Sequence, residues 1–473
     1  MLLNELTIKE ARAKLDSGEI SAVELTEACL KAIEEKNPEL NAVLTVCREE
    51  ALRDAKAADE KIKSGERSPL LGIPYLAKDA LMTKKVRTTA ASKILENYIA
   101  PFDATVIAKL KSAGAVLLGK TNLDEFAHGS STENSAFGVT KNPYDLTCVA
   151  GGSSGGSTAA VAANLCLFSL GSDTGGSIRQ PASFCDVVGF KPSYGRVSRF
   201  GLLSMTSSTD VIGPITKNVE DAEIVFSVME GKDEHDATSA EVKEKINFQN
   251  FSGLKIGVPK EYISELKNEE VKKCLADAIE KLKNAGAKVE EISLPNSRFG
   301  VPVYYLVTPS EVSSNLARFD GIAWGFSAAE TKNLHDFYLK TRGQGFGAET
   351  KRRIMLGTYA LSAGYFASYY KKAQAVRALI IEDFNNAFKK YDFILSPTSP
   401  HPAFKIGAQS NDPLTMYLED IFLIGASLAG LPAISIPAKT EKDCLPIGLQ
   451  LIAPRFSDKN LLAAAAVLEK ILA

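Results

Sequence analysis

The sequence predicts an α/β fold, a single large domain with a central mixed β-sheet flanked by helices. From Leu71 onward, short apolar runs alternate with helical patterns, the arrangement that builds a largely parallel or mixed sheet covered by helices. The composition, 45% hydrophobic and 24% charged over 473 residues, suits a chain that buries a sizeable core. No internal repeat or low-complexity tract divides it, so one domain over 1–473 is expected where length alone would suggest roughly three. Within that domain a helical segment, about 1–65, precedes a core over about 66–473.

Thr7-x-x-Glu10 and Ser21-x-x-Glu24 have capping-box form, in which hydroxyl and carboxylate satisfy the exposed donors of a helix start. They open two amphipathic helices in the first forty residues. Val23, Leu30 and Ile33 recur at helical spacing in the second, which Asn37-Pro38 is expected to stop. The runs 73–77, 115–118, 165–170, 187–190, 255–258, 393–395, 433–436 and 447–452 read as strands buried on both faces. Helices are expected between them, for example over 269–284 and 361–387. The polar stretch 231–251 reads as a surface excursion more than a linker, because elements of the same kind resume after it.

With 55 Lys+Arg against 57 Asp+Glu, the chain lacks the basic excess of a protein that grips nucleic acid by itself. Seven cysteines without a C-x-x-C pair and four scattered histidines offer no metal-ligand spacing. Buried thiols in a reducing compartment are the plain reading. The first ten residues lack the basic start and apolar core of a secretion signal. The most apolar stretch, 421–438, is broken by Gly425, Ser427, Gly430, Pro432, Ser435 and Pro437. A soluble, cytoplasmic chain with no membrane association is expected.

The segment from Ala150 to Ser183 is unlike the rest, with two glycine-serine clusters around a small-residue helix and an apolar strand. The first cluster, Gly151 to Thr158, has Ser157 where a phosphate loop requires lysine, which argues against nucleotide binding. The second, Asp173-Thr174-Gly175-Gly176-Ser177-Ile178-Arg179, follows the strand directly. A serine after two glycines at a strand-to-helix junction suits a nucleophile, and the amides of Thr174, Gly175, Gly176 and Ser177 could hold an oxyanion. A tight turn capped by Ser177 fits the same spacing. No histidine lies nearby to act as base. A lysine serves if burial lowers its pKa, and Lys78, ending the apolar run from Gly72, is the candidate. An ordinary lysine at a strand end is the simpler alternative.

Three segments together resemble the amidase signature family: Gly72-Ile-Pro-Tyr-Leu-Ala-Lys78-Asp79, Gly151-Gly-Ser153-Ser-Gly-Gly-Ser157, and Asp173-Thr-Gly-Gly-Ser177-Ile-Arg179-Gln-Pro-Ala. The resemblance covers nearly the whole chain and implies the amidase signature fold. It implies Ser177 as acyl-forming nucleophile, Lys78 as base, and Ser153 as the bridging serine held by a cis peptide. Ser154, Ser157 and Asp173 are expected to orient the loops.

Further segments, among them Gly119 to Ala127, Ser131 to Gly138, Lys191 to Gly201 and Lys351 to Gly357, resemble one branch of that family. Its members are the glutamine-hydrolysing components of tRNA-dependent amidotransferases. The likeness implies a heterotrimer with B and C subunits, in which ammonia passes to a partner that uses ATP and Mg2+. That partner converts misacylated Glu-tRNA(Gln), or Asp-tRNA(Asn) as well, to the amide. No cofactor or metal is implied in this chain. Free glutamine carries two charges that need partners in a closed pocket. The resemblance puts Arg353 on its carboxylate, Asp420 on its ammonium and Tyr304 beside them, with Arg352 and Glu419 as neighbouring alternatives. Ala150, Val211 and Trp324 depart from the branch's usual pattern of proline, glutamine and an Arg-Tyr-Gly continuation. A stand-alone amidase on small or aryl amides, or a non-catalytic scaffold, are the competing readings.

Overall fold

The computed structural model describes residues 2–409, 413–438 and 444–472. Both capping boxes form: Thr7 and Ser21 hydroxyls accept from the amides of Glu10 and Glu24, opening helices Ile8–Ser17 and Ala22–Leu40. The second helix runs through Pro38, past its expected stop. It ends at Asn41 in a left-handed conformation, while Asn37 Oδ1 accepts from the amides of Ala42 and Val43 at 2.8 Å each.

Eleven strands follow in chain order: β1 (Val43–Val46), β2 (Pro74–Lys78), β3 (Val116–Thr121), β4 (Phe168–Asp173), β5 (Val188–Lys191), β6 (Val211–Thr216), β7 (Lys255–Pro259), β8 (Lys288–Ile292), β9 (Phe393–Pro397), β10 (Ala433–Ala438) and β11 (Ile447–Ile452). They form one sheet in the order β1-β3-β2-β4-β6-β5-β10-β11-β9-β7-β8. Pairing is parallel for β3-β2-β4 and for β9-β7-β8, and antiparallel elsewhere, so the sheet is mixed and flanked by helices as expected. Every residue of β2, β3, β4, β6 and β9 is buried, as strands covered on both faces require.

Several expectations need correction. The segment 1–65 is not wholly helical, because β1 pairs antiparallel with β3 at the sheet edge. Strands β1, β6 and β8 lie outside the apolar runs that the sequence pattern marks. Helix 361–387 is broken: helix Ala348–Leu361 ends, a turn and a π-helical stretch at Ala367–Lys371 intervene, and a new helix spans Lys372–Ala387. Tyr359, Tyr365 and Tyr369 gather their rings at this break. Residues 231–251 join strands of the same sheet and lie along the surface, with Phe251 anchored in the core.

Two features of this sheet build a site. Parallel pairing sets Tyr75, Leu76 and Ala77 beside Phe168, Ser169 and Leu170, so the carboxyl ends of β2 and β4 emerge together. The helix Gly155–Ala162 packs over them, and Gly156 lets it approach closely. A Cβ there would lie 2.5 Å from the Asn122 carbonyl and 2.6 Å from that of Ala42. Beyond β4, Asp173 and Arg179 form a wholly buried bidentate ion pair, with Nε and Nη2 each donating to a carboxylate oxygen at 2.9 Å. Arg179 also donates to Gln450, Ser427 and the Leu423 carbonyl, tying the turn 174–178 to β11 and to the residues before β10.

Arg179→Ala leaves the Asp173 carboxylate buried without its cation. Urea denaturation should show a loss of about 3–5 kcal/mol, and a change under about 1 kcal/mol would mean that the pair does not hold the turn.

Candidate active site

Lys78, the last residue of β2, is fully buried. Its Nζ donates to Ser153 Oγ at 2.7 Å, Ser154 Oγ at 2.8 Å and, at 3.4 Å, the Ser172 carbonyl. All three partners are neutral oxygens. Burial pushes the lysine pKa down to about 7, against the opposing pull of the carboxylates of Asp124, Asp173 and Asp210. The peptide Gly152–Ser153 is cis, as the resemblance implies.

Ser177 sits in the turn after β4 and is 6% exposed. Its carbonyl accepts from the Ser154 amide at 3.1 Å, which locks the two glycine-serine clusters to each other. Among the described residues its hydroxyl makes no hydrogen bond, and no backbone carbonyl accepts from the amides of Gly175, Gly176 or Ser177. Those donors are unspent. Thr174 Oγ1 donates to Asp210 at 2.7 Å, and Asp210 also takes the amides of Met205 and Thr206, which fixes the start of the turn.

The glycines of the turn also admit close neighbours. A Cβ on Gly175 would lie 2.8 Å from the Tyr304 hydroxyl and ring, and one on Gly176 would lie 2.8 Å from Asp420 Oδ1. Two residues assigned from the resemblance thus touch the serine turn. Arg353 joins them through aromatic rings: its guanidinium stacks over Tyr305 at 4.6 Å and Tyr417 at 4.9 Å, and Tyr305 meets Tyr304 edge-on. Arg353 Nε donates to Glu349 at 2.7 Å. Its terminal nitrogens donate to no carboxylate or carbonyl among the described residues. Arg352 is mostly outside the core and pairs with the other oxygen of Glu349, which separates two arginines that are neighbours in sequence.

Asp420 is buried, and its Oδ2 accepts from Ser130 Oγ at 2.8 Å. Oδ1 has no partner among the described residues. With no cation in contact, burial pushes the carboxyl pKa up to about 8. Glu419 turns elsewhere, its Oε1 accepting from His401 and Gln409.

The structure adds residues to which sequence reasoning gives supporting roles or none. Ser154, expected only to orient the loops, touches the Lys78 amine at 2.8 Å, nearly as closely as Ser153 at 2.7 Å. Asp124, in the loop after β3, accepts from the amides of Thr132 and Asn134 and lends charge to Lys78 from a distance. Gln180 spans from the Gly152 amide to the Ser130 carbonyl, bridging the serine loop to the Asp420 partner. Ser157 bonds Thr121 and the Leu170 carbonyl, and Asp173 orients the turn through Arg179. Of the three departures, Ala150 accepts from the Cys185 thiol, Val211 is buried opposite Asp173, and Trp324 is exposed. Among the described residues no cluster of His, Cys, Asp and Glu could hold a metal ion, and no helix is long and apolar enough to cross a membrane.

Comparison with known proteins gives consistent matches along the chain. The Amidase family model matches residues 24–462. The A subunit of glutamyl-tRNA(Gln) amidotransferase from Carboxydothermus hydrogenoformans is 53% identical over 475 residues, covering 99% of this chain and 98% of the relative. The crystal structure of the protein of the same name from Thermotoga maritima superposes with a TM-score of 0.78 at 43% identity, covering 98% of this chain and 94% of its own. A bacterial aryl acylamidase of the amidase signature family superposes with a TM-score of 0.86 at 27% identity, covering 98% and 96%. With the family model spanning most of its length and relatives above half identity end to end, the chain belongs to the amidase family.

Proposed function

We propose that this chain is the glutaminase subunit of a tRNA-dependent amidotransferase. The observation that carries the glutamine reading is Asp420: a buried carboxylate with one oxygen unpartnered, lying against the turn that bears Ser177. An α-ammonium is the group that would relieve it. Arg353, whose guanidinium rests against the stacked pair Tyr305 and Tyr417 with its terminal donors on no acid, suits the α-carboxylate, and Tyr304 packs edge-on against Tyr305.

The chemistry follows from the lysine. Ser177 Oγ attacks the γ-amide carbon, and its proton passes through Ser153 Oγ to neutral Lys78. The amides of Thr174, Gly175, Gly176 and Ser177 face the oxyanion. Collapse expels ammonia, which takes the proton back through Ser153, and water then cleaves the acyl ester by the same relay, giving glutamate. The Ser177-to-Ser153 link is completed when substrate fills the site. Ammonia passes to a partner protein that uses ATP and Mg2+ to amidate Glu-tRNA(Gln), or Asp-tRNA(Asn) as well. The working unit is a heterotrimer with B and C subunits, in the cytoplasm. The naming of full-length relatives at about half identity supports this assembly.

Ser177→Ala should abolish glutamine hydrolysis without altering the fold, and trapping of the native enzyme should give a γ-glutamyl adduct on a peptide containing Ser177. An adduct on Ser153 would overturn the assignment.

Lys78 works as a base only when deprotonated, so kcat/KM falls as pH drops through about 7. Asp420 must also be ionised to take an ammonium, and in the empty site it titrates at about 8. Below that range glutamine should show a two-proton limb and a neutral aliphatic amide a one-proton limb. Asp420→Asn should reduce the glutamine limb to one proton, and Lys78→Arg should be inactive on both substrates because a guanidinium keeps its proton.

Arg353→Ala and Asp420→Ala each leave a charge unpaired in the glutamine complex. A loss of roughly 2–5 kcal/mol in kcat/KM is expected for glutamine, with far less for a neutral amide. Equal losses on both would mean that these residues support the fold and not the amino-acid end.

A further inference from the structure

His128 has no role in the chemistry above, yet it is fully buried beside the proposed glutamine site. It follows the short helical turn Glu125–Ala127, and its Nδ1 lies 3.0 Å from the Glu125 carbonyl. A carbonyl oxygen only accepts, so Nδ1 carries the ring proton and Nε2 presents a bare lone pair. That Nε2 is buried and has no hydrogen-bond partner among the described residues. Burial, reinforced by the positive Arg353, pushes the ring pKa down to about 3, so the ring stays neutral and Nε2 stays an acceptor.

The position of this lone pair is informative. Two residues further along the same loop, Ser130 donates to Asp420 Oδ2. On the other side, Thr350 Oγ1 is 3.4 Å from His128 Nδ1, and Arg353 lies one turn beyond Thr350 on the helix Ala348–Leu361. His128 is thus linked along its own loop, through Ser130, to the residue proposed for the ammonium and, through Thr350, to the helix that carries the residue proposed for the carboxylate. Asp420 Oδ1, once the carboxyl is ionised, is a second buried acceptor without a donor among the described residues. Two unfilled acceptors call for one group with several N–H bonds, and a carboxylate or carbonyl oxygen facing them would be repelled. An ammonium has three such bonds.

We propose that His128 Nε2 accepts a hydrogen bond from the α-ammonium group of glutamine, sharing it with Asp420 Oδ1, and so selects for a substrate that carries that group. This rests on the glutamine reading of the site. The test compares three amides on the chain assembled with its partner subunits: glutamine, glutaramate (which keeps the carboxylate but lacks the ammonium), and pentanamide, which lacks both. His128→Leu should raise KM for glutamine roughly tenfold to a hundredfold, the range for a hydrogen bond to a charged group. Its kcat, and both constants for glutaramate, should change less than about twofold. His128→Gln, which keeps an acceptor oxygen, should recover most of the glutamine KM. If His128 instead orients Arg353, glutamine and glutaramate suffer equally, and the proposal fails; it fails also if neither is affected. A native enzyme that hydrolyses pentanamide as readily as glutamine would overturn the glutamine reading itself. Should His128→Leu not fold, 15N-histidine spectra of the Ser177→Ala protein decide. Glutamine should shift the Nε2 resonance and glutaramate should not, and equal shifts or none would overturn the proposal.

Discussion

A lysine amine held out of water, with only neutral oxygens in hydrogen-bond contact, is the constraint around which this molecule is arranged. Lys78 can lie there because its strand is buried along its whole length and because two serines and a carbonyl accept its hydrogens. A carboxylate in direct contact would have pinned it in the charged form. The acids that do influence it, Asp124, Asp173 and Asp210, are each occupied elsewhere: with backbone amides, with Arg179, and with Thr174 and the amides of Met205 and Thr206. Their charge reaches the lysine only across intervening groups. The result is an amine poised near neutrality in a site that needs no histidine.

The same division between satisfied and unsatisfied groups runs through the rest of the site. Asp173 and Arg179 neutralise each other and serve geometry, and Glu349 takes up part of Arg353. Asp420 Oδ1 and His128 Nε2 have no such partner among the described residues. Buried polar atoms without partners are costly, and in the proposed reading a ligand supplies the missing donors. Gly175 and Gly176 bring Tyr304 and Asp420 against the turn that bears Ser177, the proposed nucleophile, since any side chain there would collide with Tyr304 or with Asp420. The proposed catalytic and recognition residues thereby meet within a single turn of chain.

The alternation of apolar runs and helical patterns carries the fold class, and eight strands lie where those runs are, mostly with ends shifted by one to three residues. The remaining strands each lack the signal. Val43–Val46 is a short edge strand that is only partly buried, Lys288–Ile292 is an edge strand rich in charge, and Val211–Thr216 contains glycine and proline, which ordinarily argue against a central strand. The break after Leu361 is equally invisible, because the residues around Gly364 keep a helical composition while the tyrosines of both segments gather at the turn.

What the sequence by itself determined is local and chemical. The two glycine-serine clusters, the lysine closing an apolar strand and the capping boxes all reside in contiguous residues, where spacing alone dictates which groups meet. Tertiary structure decided everything that depends on a distant neighbour. It chose Arg353 over Arg352 by placing one under two tyrosine rings and the other outside the core. It set Ser154 beside Ser153 on the lysine, and it left His128 and Asp420 each with an unpaired acceptor. Whether a buried polar atom is satisfied depends on partners far away in the chain, such as Ser130 on Asp420 across 290 residues, brought there by strand pairing and the crossing of loops. No local pattern encodes that.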